Sequence, residues 1–331
     1  THLGPVATAF CFAQPGEAEV ALKRIPICET DRETVQGAIA MLRARTAREF
    51  DAALAGWRFP VVALVALPAG LDPKLLGQAK FLNRGALLGM AAAWEATQQA
   101  ALPEALPAGR RALYVATGDF TMADCTFLYP AVRDASGGRF RVLDPERLNR
   151  ATVDKVNPFF LLESIANNPF SFVSAALGCM GPGTSLSSQS PCGAHALELG
   201  YRAVRTGRAD AAVVVGCGAW VGPVPQLELK ELGLLSAGLT GAASFRPFDR
   251  RRDGFLAGDG GAALVLMRLA DAQKRGLRPL ARIVAHATHA HEPNWFTTAP
   301  VGAIEKLYRK TGWTTKDVDL FEVNEAFAVV T

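Results

Sequence analysis

The chain has 331 residues, 50% of them hydrophobic, and a formal net charge of +4. That length can bury a large core in one big or two moderate domains, and so mild and scattered a charge argues against a dedicated nucleic-acid binder. No apolar run reaches membrane-crossing length, since the longest, near Val61–Ala69 and Ala211–Val215, are strand-sized. The six cysteines (Cys11, Cys28, Cys125, Cys179, Cys192 and Cys217) lie far apart without a C-x-x-C pair. Most have apolar neighbours, which favours buried thiols in a reducing cytoplasm over disulfides. The chain opens on Thr1 with no basic segment of the kind that begins a signal peptide, and a start lying further upstream is expected.

In chain order, Pro5–Ala13 reads as a strand. A helix follows with Val35, Ile39, Leu42, Phe50 and Leu54 on one face. Val61–Leu67 reads as a buried strand ended by Pro68 and Gly70. A long helix is predicted from Asp72 to Ala101, with Leu75, Leu82, Leu87, Met90 and Trp94 as its apolar stripe. After a loop at 103–109, Arg111–Thr117 is a strand that stops at Gly118, and Asp119–Tyr129 is read as helical. Asp134–Arg141 is a surface loop, and Phe159–Leu177 two short helices broken at Asn168-Pro169, the second ended by Gly178.

The stretch that organises the chain comes next. Gly181-Pro-Gly183 makes a turn, and Thr184–Gln189 is a short β run rich in hydroxyl residues. Pro191 opens a helix with Ala194, Leu197, Tyr201 and Val204 at helical spacing, closed by Gly207 before the apolar strand Ala211–Val215. Ser190 falls at the N-cap, where its hydroxyl can accept from an orphan backbone N–H, and Pro191 suits the first helical position. By itself this describes a well-made helix cap. The same turn also lifts a small polar side chain to a helix N-terminus, whose partial positive charge and free N–H donors suit a nucleophile or an oxyanion.

Leu227–Leu235 is read as a helix and Gly238–Ser244 as a flexible link of small residues. Ala262–Met267 is read as a strand buried on both faces, because it shows no polar alternation. The Arg250–Arg252 run reads as a solvated or ion-paired loop. Strands alternating with helices indicate an α/β fold with a largely buried, mixed sheet.

Gly181–Ala196, followed by Arg246-Pro-Phe-Asp-Arg-Arg-Arg-Asp-Gly-Phe-Leu-Ala-Gly-Asp-Gly-Gly-Ala262, resembles a β-ketoacyl synthase of the thiolase superfamily. The resemblance runs from about Lys80 to Arg275. Matching Gly193-Ala-His-Ala196 to that family's pattern puts its nucleophilic cysteine on Ser190, with Cys192 two residues too late. His195 matches a histidine of the pattern that is not the catalytic one. The tail is different: Gly276–Ala285, His286–Pro300 and Asp319–Ala328 resemble a thiolase, and Asn324-Glu-Ala-Phe327 matches the asparagine that holds an active-site water there. The switch falls near Asp271–Pro279, so the chain reads as two related families joined at an equivalent point, by natural recombination or by assembly.

The resemblance implies a layered α-β-α-β-α fold. One thiolase-like half occupies 1–270, and a partial second half occupies 271–331, with a strand at Arg282–Ala287, a helix at Val301–Thr311 and a strand at Val318–Val323. It also implies that this second half is truncated, stopping short of a Gly-His motif with a second catalytic histidine. The implied activity is acyl transfer of the condensing class, without a cofactor, on acyl-CoA or acyl-carrier-protein thioesters. With Ser190 in the thiol's place it is expected to be impaired. The alternatives are a non-catalytic partner subunit similar to a chain-length factor, supported weakly by Gln189, and an inactive chimeric fragment. Either way a homodimer, or a heterodimer with an active synthase, is implied through the strand before Ser190. His289 and His291 would share one face of a strand, but no cysteine or carboxylate completes a ligand set, so His286, His289 and His291 are read as structural or solvent-facing.

Overall fold

The structure is a computed structural model and describes residues 6–13, 70–102, 106–118, 127–139, 142–156, 158–160, 165–187, 191–236, 244, 246, 248–324 and 330. The expected helix around Val35–Leu54, the strand Val61–Leu67 and nearly all of the 238–244 link lie outside these residues. In chain order the elements are β1 (Val6–Ala13), α1 (Pro73–Gln78), α2 (Arg84–Gln99), β2 (Arg111–Thr117), α3 (Tyr129–Ala135), α4 (Pro145–Lys155) and α5 (Asn168–Leu177). They continue with β3 (Gly183–Ser187), α6 (Cys192–Arg205), β4 (Ala211–Ala219), α7 (Pro223–Glu231), β5 (Asp259–Met267), α8 (Leu269–Lys274), β6 (Arg282–Ala290) and α9 (Ala299–Thr311).

Two sheets organise them. The larger has the order β3-β2-β4-β5, with β3, β2 and β4 parallel and β5 antiparallel at one edge. Because successive side chains of a strand point to opposite faces, its central strands serve two cores at once. Leu113, Val115, Val213 and Val215 pack with Leu87, Met90 and Ala93 of α2 and with Phe172 and Val173 of α5. On the other face Ala112, Tyr114, Ala116, Ala212 and Val214 meet Ala196, Leu197, Ala203 and Val204 of α6. Gly200 lets α6 sit this close, since a Cβ there would stand 2.6 Å from Val214 Cγ2.

The second sheet pairs β1 with β6 antiparallel, joining strands from the two ends of the described chain. It lies over the outer side of α6, where Ile283 packs against the second core and Tyr201 meets the His286 ring edge-on. α9 covers its far side and donates from Lys306 Nζ and Lys310 Nζ to the β6 carbonyls of Thr288 and His286. The layers therefore run α2–sheet–α6–sheet–α9, the α-β-α-β-α sequence that the resemblance implies.

Several expected elements are corrected. The helix over Asp72–Ala101 is two helices, because Asn83 Oδ1 accepts from Ala86 N at 2.8 Å and starts α2 afresh. Of the helix expected over Asp119–Tyr129, residues 119–126 lie outside the described residues, and α3 begins at Tyr129. α4 was not anticipated; Asp144 Oδ1 caps it by accepting from the Glu146 and Arg147 amides, but it buries only Ala151 and shows no apolar stripe. α7 starts four residues earlier than the expected Leu227, with Pro223 setting its first turn. Among the described strands β5 stands at the sheet edge; its residues alternate in exposure, Leu264 being 47% exposed, so it is not buried on both faces. Val318–Val323 forms no strand: it is irregular, with Leu320 70% exposed.

Candidate functional site

Parallel strands present their carboxyl ends together, and in open α/β sheets ligands bind just beyond those ends. Here β3 ends at Ser187, β2 at Thr117 and β4 at Ala219. From β3 the chain passes residues 188–190 and enters α6. Ser190, the expected nucleophile position, lies outside the described residues, as does Gln189. What is described begins one residue later and corrects the cap. The Pro191 carbonyl accepts the first helical bond from His195 N at 2.9 Å, so Pro191 is the N-cap and Ser190 precedes it. The ring of Pro191 offers no side-chain acceptor to the amides of the first turn.

Cys192 is the first helical residue and is half-buried, its Sγ 3.6 Å from the Thr117 carbonyl at the end of β2. That contact fixes the start of α6 beside the carboxyl end of the sheet. The aligned peptide dipoles of this long helix put partial positive charge at the same place. A second thiol, Cys179, follows α5; it is buried, and its desolvation pushes its pKa up to about 11. Such a thiol is inert at neutral pH.

The remaining predicted residues are dispersed. Asn324 is exposed, at the end of the irregular segment after α9. His195 is half-buried within α6. His286 faces α6, where Glu198 Oε1 lies 3.9 Å from its Nδ1. β6 stops at Ala290, so His289 and His291 do not share a strand face; their rings meet edge-on at 5.8 Å, and His289 lies against Gly302 of α9. Among the described residues no group of three or more His, Cys, Asp or Glu could hold a metal ion. In the arginine-rich loop, Asp249 pairs with Arg251, whose hydrogen bond holds the carboxyl at about 2.

Two residues near the sheet end escaped the sequence reading. Asp259, at the start of β5, accepts through Oδ1 from the amides of Trp220 at 2.7 Å and Val221 at 2.9 Å, and pairs through Oδ2 with Arg84. It ties the loop after β4 to the start of α2. The Gly-Asp-Gly-Gly string was visible, but nothing local in it names partners so distant in sequence.

The β-ketoacyl synthase N-terminal domain family matches residues 60–272, and the thiolase C-terminal domain family matches residues 277–331. The cytosolic acetyl-CoA acetyltransferase of Mus musculus is 50% identical over 72 residues, which are 22% of this chain and 18% of that protein. A Schizosaccharomyces pombe protein described as a mitochondrial 3-oxoacyl-[acyl-carrier-protein] synthase is 27% identical over 179 residues, 52% of this chain and 42% of its own length. A solved β-ketoacyl synthase from Burkholderia phymatum STM815 superposes with a TM-score of 0.47 at 23% identity, covering 67% of this chain and 49% of that one. The chain thus spans less than half the length of each of these relatives.

Proposed function

The chain belongs to the β-ketoacyl synthase family through residues 60–272, and from that membership we propose an acyl-thioester-binding protein of the condensing class whose turnover is impaired at Ser190. The family reaction moves an acyl group from a carrier thiol to a cysteine, then joins it to a carbanion. In the first step the nucleophile bonds to the acyl carbon, the carbon–sulfur bond breaks, and the carrier thiol leaves with the proton. A thiol at a helix N-terminus ionises near neutral pH because the dipole and free amides favour the thiolate. A serine hydroxyl does not, and needs a general base within hydrogen-bond reach.

The observation that carries the reading is the start of α6, set at the carboxyl ends of three parallel strands, with serine where the family has cysteine. This arrangement supports binding of an acyl-CoA or acyl-carrier-protein thioester and disfavours its transfer. Incubated with acyl-CoA, the purified chain is expected to show no stoichiometric acyl adduct by intact mass. An adduct that peptide mapping places on Ser190 would show that the hydroxyl is active and overturn the impairment.

The missing thiol also supports a second reading, that of a non-catalytic partner to a cysteine-bearing synthase. Copurification with such a synthase, with no adduct on this chain, would favour it.

A further inference from the structure

The loop that leads into β5 carries four arginines and two aspartates between residues 246 and 253. Their charges divide unevenly. Asp249 is taken up by Arg251, accepting at Oδ1 from the Arg251 amide at 2.7 Å and from Nε at 3.3 Å, and at Oδ2 from Nη2 at 3.1 Å. Asp253 lies 3.7 Å from Arg246 and accepts from the Ser236 hydroxyl at 2.7 Å. Arg250 and Arg252 are left over: both are exposed, and neither forms an ion pair among the described residues. Two successive turns fix the backbone that presents them, since Asp249 N donates to the Arg246 carbonyl and Arg252 N to the Asp249 carbonyl, each at 3.2 Å. Beside them stands Phe248, which is 58% exposed and has a φ of 64°, in the left-handed region that non-glycine residues rarely adopt. So exposed a ring gains no core packing in return for that strain, and strain of this kind is kept where a functional position calls for it. The loop enters β5 at Asp259, which binds the amides just past the carboxyl end of β4. Seven positions separate Arg252 from Asp259, so its backbone lies within about 25 Å of that sheet end.

We propose that Phe248, Arg250 and Arg252 bind the adenosine 3′-phosphate 5′-diphosphate end of coenzyme A, which makes CoA, and not a carrier protein, the carrier this chain recognises. The proposal rests on the acyl-thioester reading for the identity of its ligand. Guanidinium forks match phosphate oxygens bidentately, and an exposed aromatic ring offers a face on which a base stacks. Both features fall within five residues of one loop, and the far end of CoA combines the same two groups, a purine beside a ribose phosphate and a diphosphate. The prosthetic arm of a carrier protein has a lone phosphodiester and no base, and would leave the ring unused.

The test uses the full chain and adenosine 3′,5′-bisphosphate, which carries the base and phosphates without the pantetheine arm or a thioester. Titration calorimetry should show it binding, with inorganic pyrophosphate and adenosine each at least about tenfold weaker, because one meets only the arginines and the other only the ring. Arg250→Gln combined with Arg252→Gln should weaken the bisphosphate by about tenfold or more. Phe248→Leu should weaken it by about fivefold or more, and Phe248→Asn, which suits the left-handed backbone, gives the same reading should the leucine variant misfold. Pyrophosphate binding as tightly as the bisphosphate would show a patch for free phosphate only and overturn the proposal. So would a bisphosphate affinity unchanged by the arginine substitutions, or no binding at all. An S-acyl pantetheine, which lacks the nucleotide, reports separately on the acyl site. If it binds and the bisphosphate does not, the thioester reading stands and the CoA assignment falls. If the bisphosphate binds as expected and the acyl pantetheine does not, the loop assignment stands and the thioester reading falls.

Discussion

At the scale of single residues, His286 shows how burial can outweigh a nearby opposite charge. Glu198 at 3.9 Å favours the imidazolium, but desolvation between α6 and β6 lowers the pKa, as do Lys310, Arg202 and Arg205. β1, packed beside it, contributes no charged residue. With its folded pKa below the ordinary 6.5, His286 binds fewer protons in the folded chain than in the unfolded one across the window just under that value. Its contribution to stability is therefore complete above about pH 6.5 and falls as the pH drops through that window. His286→Gln should flatten this part of the pH dependence, read as the urea midpoint between about pH 5 and 7. An unchanged slope would mean that His286 is not the group responsible.

At the scale of elements, the contact of α2 with the sheet is set by what glycine leaves out. A Cβ on Gly261 of β5 would stand 2.4 Å from Gly89 N and 2.5 Å from the Leu88 carbonyl carbon, both backbone atoms that no rotamer change can move. Gly261→Ala must push helix and strand apart, and should destabilise the chain by about 2–3 kcal/mol, in the range of overpacked cores. Gly260, one residue earlier on the opposite face, has no described atom within 4 Å of its Cβ position. Gly260→Ala should thus stay within about 0.5 kcal/mol of the parent. Equal urea midpoints for the two variants would refute the close packing of α2 on β5.

At the scale of the whole molecule, the large sheet ends at β3, which pairs only with β2 among the described strands. Apart from Leu186 its residues are small, with Gly183 and Thr184 exposed. A strand at the edge of a sheet invites a strand from another chain. The expected outcome is a dimer formed through β3, giving twice the chain mass by light scattering. A monomer under conditions where the chain is folded would remove that expectation.

Much of this architecture was legible in the residues. Arg111–Thr117 and Ala211–Val215 are apolar runs of strand length, and the Gly193-Ala-His-Ala196 string marked the start of α6 to within one residue. These features are local: a buried parallel strand must be continuously apolar, and an amphipathic helix must repeat its apolar positions every three to four residues. The splitting of α1 from α2 was local too, written in Asn83, but an uninterrupted apolar stripe masked it. Other features were decided only by tertiary structure, because they depend on what lies opposite. Whether Ala262–Met267 is buried on both faces or exposed on one depends on its standing last among the described strands of the sheet, which the run of apolar residues does not encode. Val318–Val323 has the composition of a strand and pairs with no described strand, and its backbone is irregular. Trp220 reads as an isolated aromatic residue until the fold sets it beside Gly118, and Asp259 as part of a glycine-rich string until it meets two amides and Arg84. The chain's own pattern determines most of its elements; distant partners in the fold determine what packs against them.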